Sequence, residues 1–420
     1  SHPSSPRPVV LNTWEAVYFD HDLDRLLELA GRAARVGVER FVLDDGWFPG
    51  RRHDRAGLGD WRVDPAVWPD GLHPLVKRVR ELGMQFGLWF EPEMINPDSE
   101  LARAHPDWIL QTGDRLPPAA RHQQVLDLTN PAAYAHIKER LLALIGEYEL
   151  DFIKWDHNRD LVDAGSTLRQ GRAAVHAQTL AVYRLLDEIR AAHPRLEIES
   201  CSSGGARVDL GILERTDRVW ASDCIDPVER RQIMRWTAQL LPPELIGSHI
   251  GADRSHTTGR RHDLAFRAAT AFFGHYGIEW DLASLTDDEL GELAGWIALH
   301  KEHRDLLHTG VMVRLDDVPE GVEAHGVVAP DGRAAVYEIA LLERPATWPP
   351  GLVRLPGLDP DTLYRVRPLT PVASHGVAPA WVSGGTVLPG AALAASGIAV
   401  PPLFPDQSAL LHLTAVEQAP

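Results

Sequence analysis

Cysteine is nearly absent: the chain has two, Cys201 and Cys224, in 420 residues. Two thiols cannot build the framework of a disulfide-stabilised secreted domain, and they suit a reducing compartment, so a cytoplasmic setting is expected. Long apolar runs are missing too. No stretch of about 18 apolar residues occurs, so no helix that spans a membrane is expected. No basic-then-apolar signal opens the chain. The opening SHPSSPRPVV has no Met and reads as a remnant of expression or as a cut inside a longer protein. Basic charge is in short supply: Lys+Arg 42 against Asp+Glu 59, a net charge of −17. That balance argues against nucleic acid or an anionic membrane as partner. Repeats and low-complexity tracts are lacking, apart from Pro-rich joins near 346–356 and 400–405.

What is present has a rhythm. Short apolar stretches alternate with helical patterns. Strands are expected at VVLNTWEA (9–16), RFVLDDGW (40–47), QFGLWFEPE (85–93), DFIKWDHN (151–158), RLEIESCSSGG (195–205), RVWASDCID (218–226), ELIGSHIG (244–251) and HYGIEWDL (275–282). Helical spacing follows the first strand, with Leu23, Leu26, Leu27 and Ala30 on one side. Further helices are expected over 72–82, ended by Gly83, and from Pro131 onward. Others are expected over roughly 206–215, 227–241, 262–273 and 286–303. Eight strand–helix units predict an α/β fold, a (β/α)8 TIM barrel. A doubly wound open sheet is the alternative, but no Gly-rich phosphate loop follows the first strand. After about residue 304 the helical period stops. Runs such as GVEAHGVVA, AAVYEIALL, LYRVRPL and ALLHLTAV, divided by Gly, Pro and Asp, predict a small antiparallel β-sandwich. The expected organisation is a leader at 1–8, a barrel at 9–304 and a C-terminal β-domain at 305–420.

A barrel of this kind carries its site at the C-terminal ends of its strands. Carboxylates and indoles stand there: Trp14 and Glu15; Asp44, Asp45 and Trp47; Trp89, Glu91 and Glu93; Asp156; Asp223 and Asp226; Trp280 and Asp281. Aromatic faces cover the apolar face of a pyranose and carboxylates accept its hydroxyl protons, so the pattern suits a sugar. Glycoside hydrolysis needs two carboxyl groups. Asp156 and Asp223 end the fourth and sixth strands and can face each other across the barrel mouth. Lys154 lies two residues before Asp156 on the same side of its strand. A cation there keeps Asp156 ionised, as a nucleophile requires. Asp223 stands beside Trp220 and Ala221 without an adjacent base, and desolvation would keep its proton on, as an acid requires.

Plainer roles compete for these residues. Asp156 could be an ion-pair partner of Lys154 or Arg159. Asp223 could cap the helix that begins at Pro227, although Asp226 fits that role better. Asp44 and Asp45 could hold a metal, but no further ligands with metal spacing accompany them, so no metal or other cofactor is expected. Trp14 and Trp89 could be core aromatics. The glycines of SSGGAR read as room for close backbone approach to a sugar rather than as a phosphate loop. Cys201 and Cys224 end neighbouring strands and are expected as free thiols. His300 and His303 are expected to be solvated or packed.

The motifs LNTWEA, VLDDGWF, GLWFEPE, FIKWDHN, ESCSSGGAR and SDCIDP, in that order from residue 9 to about 282, resemble those of glycoside hydrolase family 36, the α-galactosidase family. The resemblance implies a retaining exo-α-galactosidase, with α-N-acetylgalactosaminidase as the near alternative. A catalytically impaired sugar-binding fragment is the alternative outside catalysis. It implies Asp156 as nucleophile and Asp223 as acid/base. It also implies sugar-binding roles for Asp44, Asp45, Trp14, Trp89, Arg121, Lys154, Asn158, Cys201 and Gly204. The expected partner is a small α-galactoside. Relatives carry an N-terminal β-sandwich domain used in tetramer assembly, so a homo-oligomer is a further implication. Nothing in this chain corresponds to that domain.

Overall fold

The computed structural model describes residues 5–416. Of the expected leader, residues 1–4 lie outside the described residues. Eight short parallel strands close into a barrel: β1 (Val10–Asn12), β2 (Arg40–Leu43), β3 (Gln85–Phe90), β4 (Phe152–Trp155), β5 (Glu197–Ser200), β6 (Arg218–Trp220), β7 (Ile246–Gly251) and β8 (His275–Glu279). Their order around the ring is β1-β8-β7-β6-β5-β4-β3-β2. Closure shows in β1, which pairs with β2 (Val10↔Arg40) on one side and β8 (Val10↔Gly277) on the other. Every expected strand is present, and an open sheet is excluded.

The helices are α1 (Leu23–Val36), α2 (His73–Glu81), α3 (Pro131–Glu147), α4 (Val175–Ala192), α5 (Pro227–Thr237), α6 (Leu264–Ala271) and α7 (Asp287–Thr309). Local chemistry sets their ends. Asp22 accepts the Arg25 N–H before α1, and Gly37 follows it in the left-handed conformation at φ 96°. Between them Leu26, Leu29, Ala30, Ala33 and Val36 form one buried stripe. Asn130 caps α3 and Asp226 caps α5, each ahead of a proline at the first position. The helix expected at 206–215 is only a four-residue turn, Leu210–Leu213. Asp209 caps it from one side, and Arg218 opens β6 soon after, which leaves room for a single turn. Helix α4 had no counterpart among the expected elements.

The barrel interior is charged. Alternate residues of a strand share a face, so Phe152 and Lys154 of β4 point the same way. Beneath Lys154, Val10, Val42 and Phe152 make a small apolar plug. Gly87 is required there, because a Cβ would lie 2.9 Å from the Phe152 ring. Below the plug, Arg40 pairs with Glu197 at 2.8 Å and Arg218 pairs with Glu199. The Arg40 guanidinium lies 4.6 Å from the Phe152 ring centre, and that of Arg218 5.8 Å. Buried ions are tolerated only when paired in this way.

The chain divides into two compact units, Ser1–Cys224 with Gly277–Ile297 and Ile225–Tyr276 with Ala298–Pro420. The second contains a six-stranded antiparallel sheet. Its strands are β9 (Val311–Leu315), β10 (Val322–Val328), β11 (Ala334–Leu341), β12 (Leu363–Pro368), β13 (Thr386–Pro389) and β14 (Gln407–Ala415), in the order β9-β10-β11-β14-β12-β13. A two-stranded pair, Leu352–Val353 with Ile398–Ala399, accompanies it. Tyr337, Ile339, Tyr364, Val366, Leu411 and Leu413 are at the centre of its core. Arg231 of α5 is buried against Glu338 of β11 within this unit.

Candidate active site

The site is built on the C-terminal ends of strands belonging to the first unit. Asp44 and Asp45 follow β2. Asp44 Oδ2 accepts from Asn12 Nδ2 at 2.6 Å and from Lys154 Nζ at 2.9 Å. Asp45 is gripped on both oxygens by Arg51, Nε to Oδ1 at 3.0 Å and Nη2 to Oδ2 at 2.8 Å. Burial alone would lower the Arg51 pKa, but Asp45 outweighs it and holds the guanidinium charged. The aspartate pair is therefore engaged by protein cations. Among the described residues no cluster of three His, Cys, Asp or Glu is placed to hold a metal.

Lys154 is fully buried against Asp44 rather than bonded to Asp156. The sequence placed it on the correct face, but its direct partner is on β2. Asp156 instead accepts from four neutral donors. These are Trp89 Nε1 (3.2 Å) and Asn158 Nδ2 (2.7 Å) on Oδ2, the His157 N–H (2.8 Å) on Oδ1, and the Cys201 thiol. Burial would raise the Asp156 pKa, but the Lys154 charge and these donors outweigh it and hold the carboxyl below its usual value. Arg159 does not pair with Asp156; it donates to the Gln123 carbonyl at 2.6 Å.

Asp223 has the opposite setting. It is an exposed residue of the loop after β6, yet desolvation by the surrounding site raises its pKa, with Asp156 and Glu279 adding to the effect, while Lys154 and the Trp220 N–H oppose it. The Trp220 Nε1–Asp223 Oδ1 distance is 3.0 Å. Asp226, not Asp223, caps α5. The two carboxyls thus differ in the direction in which their surroundings move the proton.

The remaining expected residues are placed as follows. Trp14 is half-buried after β1, edge-on to Tyr18 and Phe19 with ring centres 5.2 Å away. Trp89 is buried, and its carbonyl accepts from Trp47 Nε1 at 3.0 Å. Arg121 is exposed on the loop after β3, at φ 50°, with Nη1 3.2 Å from Ser203 Oγ. Asn158 Oδ1 in turn accepts the Ser203 N–H at 3.1 Å. Cys201 is buried and Cys224 half-buried, and neither is in a disulfide. Gly204 sits at φ 81°, where a Cβ would come 2.7 Å from the Ser222 Cα. His300 is packed, stacked on Tyr276 at 4.4 Å with Nδ1 on the Phe272 carbonyl.

Arg51 escaped the sequence reading, and Glu15, Glu91 and Glu93, named there at strand ends, were given no individual role. Arg51, six residues beyond Asp45, had no periodic signal to mark it. Glu93 accepts from Trp155 Nε1 and from Arg207 Nη1, both at 2.8 Å, and so ties three loops together. Glu15 is pushed up to about 9 by burial and by the charges of Glu279 and Asp223. Glu91, fully buried, is pushed up to about 8 by burial and by Asp156. Both glutamates were visible at strand ends, but their protonation depends on neighbours far away in sequence.

Fold and site together define a (β/α)8-barrel protein whose strand ends carry carboxyl groups and indoles, one buried lysine and a thiol. Residues 1–310 match the melibiase family model, and residues 322–413 match the glycosyl hydrolase family 36 C-terminal domain. The chain belongs to the melibiase family. The α-galactosidase of Escherichia coli is 46% identical over 416 residues, which cover 97% of this chain and 58% of that protein. α-Galactosidase AgaA of Geobacillus stearothermophilus is 38% identical over 367 residues, 86% of this chain and 50% of its own length. A crystal structure of AgaA superposes with a TM-score of 0.90 at 36% identity, covering 97% of this chain and 55% of the other. An AgaA variant in complex with raffinose also matches at 0.90, with 35% identity and coverage of 97% and 55%. The chain spans about half the length of the curated relatives it matches.

Proposed function

We propose that this chain hydrolyses terminal α-D-galactosyl residues of α-galactosides with retention of configuration. The reading rests on one observation above the rest: two carboxyls, on strands separated only by β5, are shifted in opposite directions, the buried Asp156 down and the more exposed Asp223 up. Environments that push two carboxyls apart assign them acid and base roles. Asp156, ionised, attacks the anomeric carbon. The glycosidic C–O bond breaks, and the Asp223 proton moves to the leaving oxygen. Water then attacks the same carbon, Asp223 takes its proton, and the bond to Asp156 breaks. Lys154 lies beneath both carboxyls and holds Asp44, whose remaining acceptor capacity faces the sugar hydroxyls. Trp14 and Trp89 supply apolar faces. Raffinose, carried by AgaA in a crystal structure, is the proposed class of natural substrate. Two cysteines that form no disulfide with each other support a cytoplasmic setting.

Proton NMR of p-nitrophenyl α-galactoside turnover tests the reading. α-Galactose is expected as the first-formed anomer. β-Galactose first would replace retention by inversion. Faster turnover of the N-acetylgalactosaminide would move the specificity, and turnover of neither would remove the activity.

A further inference from the structure

Glu91 stands immediately beyond β3, where the Phe90 carbonyl still accepts the Asp156 N–H at 2.8 Å. It has no exposed surface. One carboxyl oxygen accepts the Asn158 N–H at 2.7 Å and the other accepts Gln123 Nε2 at 3.2 Å. Asn158 is two residues beyond Asp156 and donates to it. Gln123 is two residues beyond Arg121, on the loop whose carbonyl at Gln123 is held by Arg159. One side chain therefore bridges the loop of the proposed nucleophile and the loop of the proposed sugar-binding arginine. Among the described residues no cation forms an ion pair with Glu91, in contrast to Asp44, Asp45 and Glu93.

We infer that Glu91 is a positioning residue for the reaction, an uncharged carboxyl clamp that fixes the Asp156–Asn158 loop and joins it to the Arg121 loop. This inference rests on the proposed activity. The clamp is uncharged because carboxyl groups already crowd it, Asp156 among them held ionised. Asp156 faces it from the end of β4 and Asp45 from the end of β2, and Arg51 is committed to Asp45 on both oxygens. A third carboxylate in that dry space would lack a counter-ion of its own. The lift of the Glu91 proton affinity to about 8 agrees with this. A protonated clamp needs an acceptor for its O–H. Gln123 Oε1 is buried and without a hydrogen-bond partner among the described residues. The O and N of a glutamine side chain are interchanged by a half-turn of its amide. Turned, Gln123 would accept the Glu91 proton where it now donates.

The experiment compares E91Q, E91A and E91D with wild type on p-nitrophenyl α-galactoside. Glutamine is uncharged and the same shape, and Gln123 can turn to meet it, so E91Q is expected within fivefold of wild-type kcat. E91A removes both bonds. Its kcat is expected to fall 100-fold or more with KM within threefold, because the tighter bond is to the nucleophile loop. E91D cannot reach both loops and is expected to lose tenfold or more in kcat; it decides the matter if E91A does not fold. E91A, or E91D in its place, with kcat within threefold of wild type overturns the inference. So does E91Q as impaired as E91A, which would mean that the charge itself is required. An inactive wild type removes the proposed activity and this inference with it, whereas an active wild type beside an active E91A removes only the inference.

Discussion

At the scale of single residues, the site works by unequal treatment of similar groups. Asp156 and Asp223 are the same side chain, but one is buried among donors and the other is exposed, with one indole N–H and two neighbouring carboxyl groups that oppose its charge. Asp156→Asn should leave the fold intact and lower kcat by several orders of magnitude. Steady-state kinetics with circular dichroism checks this, and a variant that keeps more than a tenth of wild-type kcat would sink the nucleophile assignment. Trp220 allows a finer test. Its N–H stabilises ionised Asp223, so its removal should raise the Asp223 pKa further. Trp220→Phe is therefore expected to move the alkaline limb of the kcat/KM profile upward, by about one pH unit, the equivalent of a bond to a charged group. A downward move would show that Trp220 does not act through Asp223. The positions of the site residues were legible: Asp44, Asp45, Trp89, Asp156, Cys201 and Asp223 stand at or just beyond the strand ends expected of them. Their partners were not. Lys154 was matched with Asp156 from its spacing along β4, yet its bond crosses the barrel to Asp44.

At the scale of elements, strand ends deliver the chemistry and glycines let the loops approach. All eight barrel strands were readable because buried strands between polar ends are a strong local signal. The loop after β5 shows what local reading omits. Gly204 was singled out for close approach to a sugar, but the backbone it approaches is that of Ser222, next to Asp223. Gly204→Ala combines a left-handed backbone, which costs about 1–3 kcal/mol for other residues, with a Cβ 2.7 Å from a backbone carbon. Relief requires the Asp223 loop to shift. We expect kcat to fall at least tenfold and the melting temperature to drop; unchanged kcat/KM would show that the loop has slack. The helix expected at 206–215 shrank to one turn for a related reason. The apolar pattern was there, but the chain between Asp209 and β6 is too short to continue it.

At the scale of the whole molecule, buried histidines set the response to acid. Burial pushes His21, in the first unit, down to about 3, with Arg52 adding to it. Burial likewise pushes His325, in the second unit, down to about 4. Unfolded histidine titrates near 6.5. Below that pH the unfolded chain binds protons that the folded one refuses, so stability is fully present above about 6.5 and falls with pH until about 3–4. Each group contributes roughly 1.4 kcal/mol per pH unit across that window. Urea midpoints should therefore decline from pH 7 to pH 4, and His21→Gln and His325→Gln should each flatten the decline. Equal slopes in wild type and both variants would assign acid sensitivity to other groups. None of this could be read from sequence, because a histidine's proton affinity depends on burial and burial is a property of the assembled fold.

The sequence by itself determined the barrel, the antiparallel sheet after it and which polar residues stand at the strand ends, because period, caps and strand-end polarity are local. Asp22, Asn130 and Asp226 cap helices within a few residues of themselves, and short-range geometry suffices to predict that. Only the tertiary structure decided which groups are charged. Arg51 reaches Asp45, Lys154 reaches Asp44, and Glu91 and Glu15 find no counter-ion close enough to offset burial. Ionisation in a dry site follows from distances between strands that are far apart in the chain, and those distances exist only once the barrel has closed.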